Sequence, residues 1–385
     1  MRPETADQHV AERTVVVREL SARAHRRPAS DTAVRSAHAG SYSDAGVDIE
    51  AAGRAIDLMR DWIEKTRRPE VVGGIGGFAG LFDASALRDY RRPLLATSTD
   101  GVGTKVAIAE ALDKHDTLGF DLVGMVVDDL VVCGAEPLFL TDYIACGQVV
   151  PERIAAIVKG IAEACVAAGC AVVGGEIAEH PGLLAPTQYD VAGAATGVVE
   201  ADDVLGPDRV RAGDIAVAMA SSGLHSNGFA LVRKIIDDTG HELDEHVDDF
   251  GRSLGEELLE PTRIYAKHCL ALAAAHGVHA MAHITGGGLA ANLTRVLPPD
   301  LDLVLDRSTW TPPTVCTLVG AWGGLDSYEL ERTFNMGIGM VALVDPADAD
   351  AAVGTLTDRG IRAWIAGSVQ AGKGKAQLAA SYGDS

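Results

Sequence analysis

The chain is short of cysteine, of aromatic residues and of positive charge, and each shortage removes a class of protein. Its six cysteines (Cys133, Cys146, Cys165, Cys170, Cys269, Cys316) form no C-x-x-C pair and no regular framework, which speaks against a zinc site or a disulfide scaffold and for reduced thiols. Lys and Arg number 33 against 54 Asp and Glu, a formal net charge of −21. General affinity for nucleic acid or an anionic membrane needs a basic face that this balance does not supply. No apolar run approaches ~18 residues and no charged start leads into an apolar stretch, so neither a membrane span nor a secretory signal is expected and a cytoplasmic location is.

What is present is a 385-residue chain, 47% hydrophobic, 5% aromatic and carrying 43 glycines, the profile of an Ala/Val/Gly-rich enzyme with room for two cores. Residues 1–40 mix Arg, His, Ser and Pro and read as a mobile extension; their acids count against a transit peptide. Ordered pattern begins near residue 41, and the polar stretch "EADDVLGPDRVRAGD" at 200–214 places a domain boundary after about residue 203, giving domains of 41–203 and 204–380. The first reads as a helix over 48–66, a glycine loop, a strand "PLLATSTD", a helix "KVAIAEALDKH", an apolar segment "DLVGMVVDDLVVCGAEP", a helix after Pro151 and strands "CAVVGGE" and "YDVAGAATGVVE". The second alternates strands and helices, so the class is α+β.

Four corners at the ends of apparent strands concentrate acids, amides or histidine: "STDGVGTK", "VVDDLVVCGAEP", "VGGEIAEHPG" and "SSGLHSNG". Singly each is an ordinary turn. Together, Asp100, Asp128, Asp129 and Glu176 are carboxylates that repel unless a cation sits among them. An oxygen-only ligand set selects Mg²⁺, which keeps few carboxylates and takes phosphates as further ligands. Asp100 at the mouth of a glycine turn is then expected to hold a metal that holds phosphate, with Lys105 as a point charge. "GGIGGF", with Gly74, Gly76 and Gly77, offers unobstructed backbone N–H groups, but it matches neither the P-loop nor the Rossmann pattern. In the second half "SSGLHSNG" and "AHITGGG" pair His225 and His283 with Ser222, Ser226, Asn227, Thr285, Gly286 and Gly287 at strand-to-helix corners. Anion binding and proton transfer are open to such corners, and so are plain helix capping and hydrogen bonding.

Ten ordered blocks, "SYSDAGVDIE", "KTRRPEVVGGIGGF", "TDGVGTK", "DLVVCGAEPLF", "GGEIAEHPG", "YDVAGAATGVVE", "SSGLHSNGF", "PTRIY", "HITGGG" and "RTFNMGIGM", together resemble the phosphoribosylformylglycinamidine cyclo-ligases, also called aminoimidazole ribonucleotide synthetases. The resemblance runs from about Ser41 to near the C-terminus. It implies the two-domain aminoimidazole ribonucleotide synthetase-like fold, with N-terminal domains pairing into a β-barrel in a homodimer. It implies as well conversion of formylglycinamidine ribonucleotide and ATP to aminoimidazole ribonucleotide, ADP and phosphate through an O-phosphorylated imidate. On this resemblance Thr99, Asp100, Asp129 and Glu176 are expected to hold Mg²⁺. Gly74, Gly76, Gly77, Thr99, Gly101, Gly103 and Asp129 would bind ATP, the two second-half corners would bind the ribonucleotide, and Asp100, Lys105, His225 and His283 would be catalytic. The chain departs from the family at Asp128 (usually Asn), Ile177 (usually Thr), Leu224 (usually Pro) and Ser43 (usually Lys). A different ATP-dependent phosphotransferase of the same fold and a non-catalytic nucleotide-binding paralogue are the rival readings.

Overall fold

The computed structural model describes residues 48–382, so the expected extension and Ser43 lie outside the described residues. The first half runs α1 (Ile49–Lys65), a hairpin β1 (Val71–Val72) and β2 (Leu81–Phe82), β3 (Pro93–Gly101), α2 (Val106–Leu112), α3 (Leu118–Val131), β4 (Glu136–Cys146), α4 (Pro151–Ala168), β5 (Ala171–Glu179) and β6 (Tyr189–Glu200). Helix α1 starts where Asp48 accepts the N–H of Ala51 at 2.8 Å, and it turns Met59 inward as its helical spacing requires. Helix α4 stops at Gly169 in the left-handed region (φ 81°), where glycine carries no steric penalty.

The segment read as a strand-like apolar run is α3. It is buried on nearly all sides, the case in which short-period patterning fails to separate helix from strand. Helices α3 and α4 touch main chain to main chain, because a Cβ on Gly119 would lie 1.9 Å from Ile161 N. Beneath them the sheet is ordered β3-β6-β4-β5. Strands β4 and β5 are parallel, joined by α4, and the other pairs are antiparallel.

Strand pleating sorts the side chains of this sheet. Gly193 pairs with both Asp100 and Asp142, and a Cβ on it would meet Leu122 of α3 at 3.3 Å, so that row faces the helices. The alternate residues, among them Leu95, Thr99, Tyr143 and Glu176, share the opposite face. There Leu95 is 64% and Tyr143 42% exposed.

Asp142 sits on the helix side between Leu140 and Ile144, both fully buried, in the room left by Gly175, where a Cβ would stand 2.0 Å from its Oδ1. Burial pushes its carboxyl up to about 7, against about 3.9 in an unfolded chain. The folded state therefore binds this proton more tightly. Its contribution is favourable below about pH 4 and is lost as pH rises to about 7. Asp142→Asn is expected to open a melting-temperature gain over the parent that is absent near pH 4 and levels off above pH 7. Because Asp142 is only part-buried, about 4 kcal/mol is a ceiling. A gap independent of pH would contradict the assignment.

The second half runs β7 (Ile215–Ala220), α5 (Phe229–Thr239), a hairpin β8 (His246–Val247) and β9 (Arg252–Ser253), α6 (Leu254–Leu258), α7 (Ala266–Ala275), β10 (Val278–His283), α8 (Gly288–Thr294), β11 (Leu301–Asp306), α9 (Thr314–Trp322), α10 (Ser327–Thr333), β12 (Ile338–Val344), α11 (Ala349–Asp358), β13 (Ala363–Ala371) and β14 (Ala376–Ala379). Its sheet is ordered β10-β12-β7-β13-β11-β14, with β12 buried along its whole length. Among the described residues no helix is long and apolar enough to cross a membrane.

Candidate active site

Three acids of α3, at positions 121, 128 and 129, recur seven and eight residues apart and so share one helix face. That face meets the second half. Asp121 Oδ1 accepts the N–H of Thr262 at 3.2 Å and its hydroxyl at 2.6 Å. Both oxygens of Asp128 lie 3.1 Å from the N–H of Tyr265. Asp129 Oδ1 stands 2.9 Å from His283 Nδ1. A carboxylate buried in an apolar helix is tolerated only with such partners, so the segment 261–265, quoted as "PTRIY", owes its place to these acids.

Asp128, where the family usually has Asn, is fully buried. Burial pushes its carboxyl up to about 7, and nearby His283 and the Tyr265 N–H act in the opposite direction. Its role is to accept the backbone N–H groups of Tyr265 and Ala266, which an amide oxygen can also accept. Asp128→Asn is expected to fold, melt no lower than the parent and keep turnover within about threefold, since isosteric surroundings are preserved. Loss of turnover in a folded variant would show that the second charge matters.

Lys105 does not reach a surface on which phosphate could lie. It is fully buried, and Nζ donates to Asp121 Oδ1 at 2.7 Å, the carbonyl of His225 at 3.0 Å and that of Glu260 at 2.8 Å. An ammonium has three donors, and all are engaged. Burial acts against the charged form of each partner, lowering Lys105 and raising Asp121, while their mutual attraction opposes it. The expected phosphate contact is thus replaced by a pin between the two halves.

The corner "SSGLHSNG" lies against that pin. Neither of the helices that follow the two glycine-rich corners is capped by a side chain: the N-cap of α5 is Gly228 and that of α8 is Gly287. The polar residues before them are engaged elsewhere. Ser222 Oγ donates to Pro261 O at 2.6 Å and Ser226 Oγ to Val102 O at 2.7 Å. Asn227 contacts Met125 Sδ at 3.4 Å, and its Oδ1 faces Gly286. Thr285 donates to Asn292 Oδ1 at 3.3 Å, and Asn292 Nδ2 gathers the carbonyls of Thr285, Gly286 and Gly288.

The two histidines leave complementary atoms without a partner. His225 Nε2 accepts the N–H of Ser222 at 3.1 Å, which leaves the proton on Nδ1. That Nδ1 is buried without a partner, as is Nε2 of His283. Burial first, then the positive fields of His283, Lys105 and Arg263, hold His225 well below the usual imidazole range. At neutral pH it is an uncharged N–H donor. With its Nδ1–H donated to Asp129, His283 would present a lone pair at Nε2.

Asp100 lies at the exposed end of β3, its Oδ1 accepting only the N–H of Gly101 at 2.7 Å. Thr99 precedes it on the strand and so projects from the opposite face; its side chain and that of Asp100 do not converge as the resemblance implied. Glu176 is exposed on β5, opposite Tyr143 on the face away from the helices. Within one chain it is three strand spacings from Asp100, about 14 Å. Among the described residues no three His, Cys, Asp or Glu side chains are gathered at metal-binding spacing. Gly101 ends β3, Gly103 turns at φ 73°, and Gly76 of the 73–80 loop lies at φ 104° with open space where a Cβ would be, as at Gly74.

Asp121, Thr262 and Tyr265 carry no role in the sequence reading. The signal that would have found Asp121 is its seven-residue spacing from Asp128, visible only once the run is taken as a helix.

Two family models match the chain: AIR synthase related protein, N-terminal domain, over residues 83–199, and AIR synthase related protein, C-terminal domain, over 211–378. The fold and its acid-lined seam thus define an AIR synthase related protein. Solved structures agree in fold. Thiamine-monophosphate kinase from Stenotrophomonas maltophilia K279a superposes with a TM-score of 0.64 at 18% identity over 85% of this chain and 96% of its own. Hydrogenase maturation protein HypE in complex with ATP does so with 0.61 at 19% identity, over 87% and 93%. Sequence relatives are nearer. The phosphoribosylformylglycinamidine cyclo-ligase of Geobacillus kaustophilus (strain HTA426) is 50% identical over 337 residues, 87% of this chain and 97% of the relative. That of Anaeromyxobacter sp. (strain Fw109-5) is 51% identical over 336, again 87% and 97%. The chain belongs to the phosphoribosylformylglycinamidine cyclo-ligase family and is a ligase.

Proposed function

We propose that the chain closes the imidazole ring of formylglycinamidine ribonucleotide at the expense of ATP, in the cytoplasm, with residues 41–203 as the nucleotide and dimerisation domain and 204–380 as the ribonucleotide domain. The observation that carries this reading is the pair of buried histidines of the second half, each with one unpartnered nitrogen, set against acids of the first. In the reaction the formyl oxygen attacks the γ-phosphorus and ADP leaves. The ribosyl-side nitrogen then attacks the activated carbon, phosphate departs and a proton is removed. His283 Nε2 is suited to take that proton, oriented by Asp129, and His225 Nδ1–H to donate a hydrogen bond to an oxygen bearing negative charge. Ser222, Ser226, Asn227 and the Thr285–Gly287 turn would position the ribonucleotide, and the loop carrying Gly74, Gly76 and Gly77 would cover the nucleotide.

Asp100 and Asp129 are oxygen donors with few protein partners, a set that fits Mg²⁺ only if phosphates complete its shell. When bound there, the ion would neutralise charge developing on the transferred phosphoryl group. Glu176 would reach the site from a second copy, from the opposite face of the sheet, without sharing this ion. The open sheet face and its two unpaired edges, β3 and β5, are both removed if two sheets close into a barrel with β5 of one protomer beside β3 of its partner.

Purified protein incubated with ATP, Mg²⁺ and formylglycinamidine ribonucleotide should release the aminoimidazole product. ATP turnover without it would favour a different phosphotransferase, and nucleotide binding without turnover a non-catalytic paralogue.

A further inference from the structure

Lys105 is among the largest fully buried side chains of the protein, and it stands at the junction of three segments distant in sequence. Its ammonium joins α3 through Asp121, the corner at 221–228 through the His225 carbonyl, and the 260–265 segment through the Glu260 carbonyl. The segments it joins are also tied to each other and to the turn after Asp100. Ser222 Oγ reaches Pro261 O, Ser226 Oγ reaches Val102 O, and Thr262 reaches Asp121. His225 sits at the centre with φ 62°, a left-handed conformation uncommon for a residue with a β-carbon and kept only where the surroundings over-determine it. The imidazole is confined as well: a Cβ on Gly339 would stand 2.6 Å from His225 Cε1 and 2.1 Å from Tyr265 Oη. The backbone of His225 is therefore held from one side by Lys105 and its ring from the other by Ser222 N–H and Gly339.

We infer that Lys105 is a positioning residue: clamped by Asp121, its ammonium fixes the His225 carbonyl, and with it the strained turn that keeps Nδ1–H of His225 free for substrate. This rests on the role given to His225 above. It differs from the phosphate contact that a lysine in a glycine turn suggests, because no donor of Nζ is left for a ligand. It also explains why a buried ion pair is kept at a place where apolar residues of similar volume would pack without the desolvation of two charges. The pair delivers a directed cation to two carbonyls, which an apolar side chain does not do.

The double variant Lys105→Met, Asp121→Asn removes both charges together and leaves no unpaired ion in the interior, and the amide oxygen still accepts from Thr262. In the full-length protein it is expected to fold and to keep KM for ATP and for the ribonucleotide within about threefold, while kcat falls about 100-fold, the scale of a misplaced catalytic group. Nitrogen-15 spectra of histidine-labelled protein, with the His225 signal assigned by its loss in His225→Gln, report the ring state directly. The parent should show one neutral ring protonated on Nδ1, and the double variant an exchanging mixture of tautomers. An unchanged ring signal, or an unchanged kcat in the folded double variant, would overturn the inference. If the double variant does not fold, Thr262→Val, which removes one hydrogen bond from Asp121, is expected to move the same ring signal, and its failure to do so would be equally decisive. Should the parent protein lack cyclo-ligase activity, the proposed function fails, whereas the ring signal still tests the positioning role.

Discussion

Asp100→Asn and Glu176→Gln should each be nearly inactive alone and recover activity when mixed. Each substitution keeps shape and removes one negative charge from an exposed side chain, so folding is expected to be intact and turnover to fall by about 10²–10³, the scale for losing one electrostatic partner of the transition state. The recovery follows from the sheet. Asp100 lies on one edge strand and Glu176 on the other, and no rotamer spans the distance between them. If each site is built from β3 of one protomer and β5 of its partner, a mixed dimer has one site with both substitutions and one with neither. Random exchange of subunits at equal amounts then restores about one quarter of the sites. If both acids served one chain's site, every site in a mixed dimer would carry one lesion and mixing would restore nothing. A sharp fall in melting temperature with unchanged turnover per folded molecule in Asp100→Asn would reduce that residue to a turn former.

Asp129→Asn and His283→Ala are expected to lower kcat by about 10²–10⁴, the usual yield of positioned acid–base catalysis. The effects should add only in part, because Asp129 acts on proton transfer through the ring it orients as well as on the ion. An amide in place of Asp129 can present its N–H₂ to Nδ1 and so favour the tautomer with the proton on Nε2, removing the lone pair the reaction needs. The measurement is a double-mutant comparison of kcat with ATP saturating. A double variant that loses the full product of the two single effects would show that Asp129 acts on the ion alone and does not orient His283. His283→Gln is expected to recover little, since an amide can orient but cannot carry a proton.

Much of this architecture is legible in the residues. The run read as a strand, "YDVAGAATGVVE", coincides with β6 (Tyr189–Glu200) to the residue, and Pro151 with Gly169 brackets α4. Asp100, Gly101, Gly103, His225 and His283 lie at turns or strand ends as the sequence suggested, whereas Asp128 and Asp129 lie on helix α3 and Glu176 lies within β5. Two features were hidden for physical reasons. Helix α3 is buried on nearly every side, so its period carries little contrast between wet and dry faces, and its acids looked like the end of a strand rather than one helix face. Lys105 resembles a phosphate ligand because glycine, threonine and lysine in a turn are what such ligands require, yet its partners come from positions 121, 225 and 260. Burial of that kind is a tertiary property with no local signature.

The central claim is that acids of the first half meet the triphosphate of ATP through a divalent ion, beside the two histidines of the second. A crystal structure with a non-hydrolysable ATP analogue and Mn²⁺ tests it most directly. The account predicts an anomalous peak bound by Asp100, Asp129 and phosphate oxygens, with the γ-phosphate facing His225 and His283. A nucleotide seated elsewhere, or one held with no ion between its phosphates and those carboxylates, would contradict it.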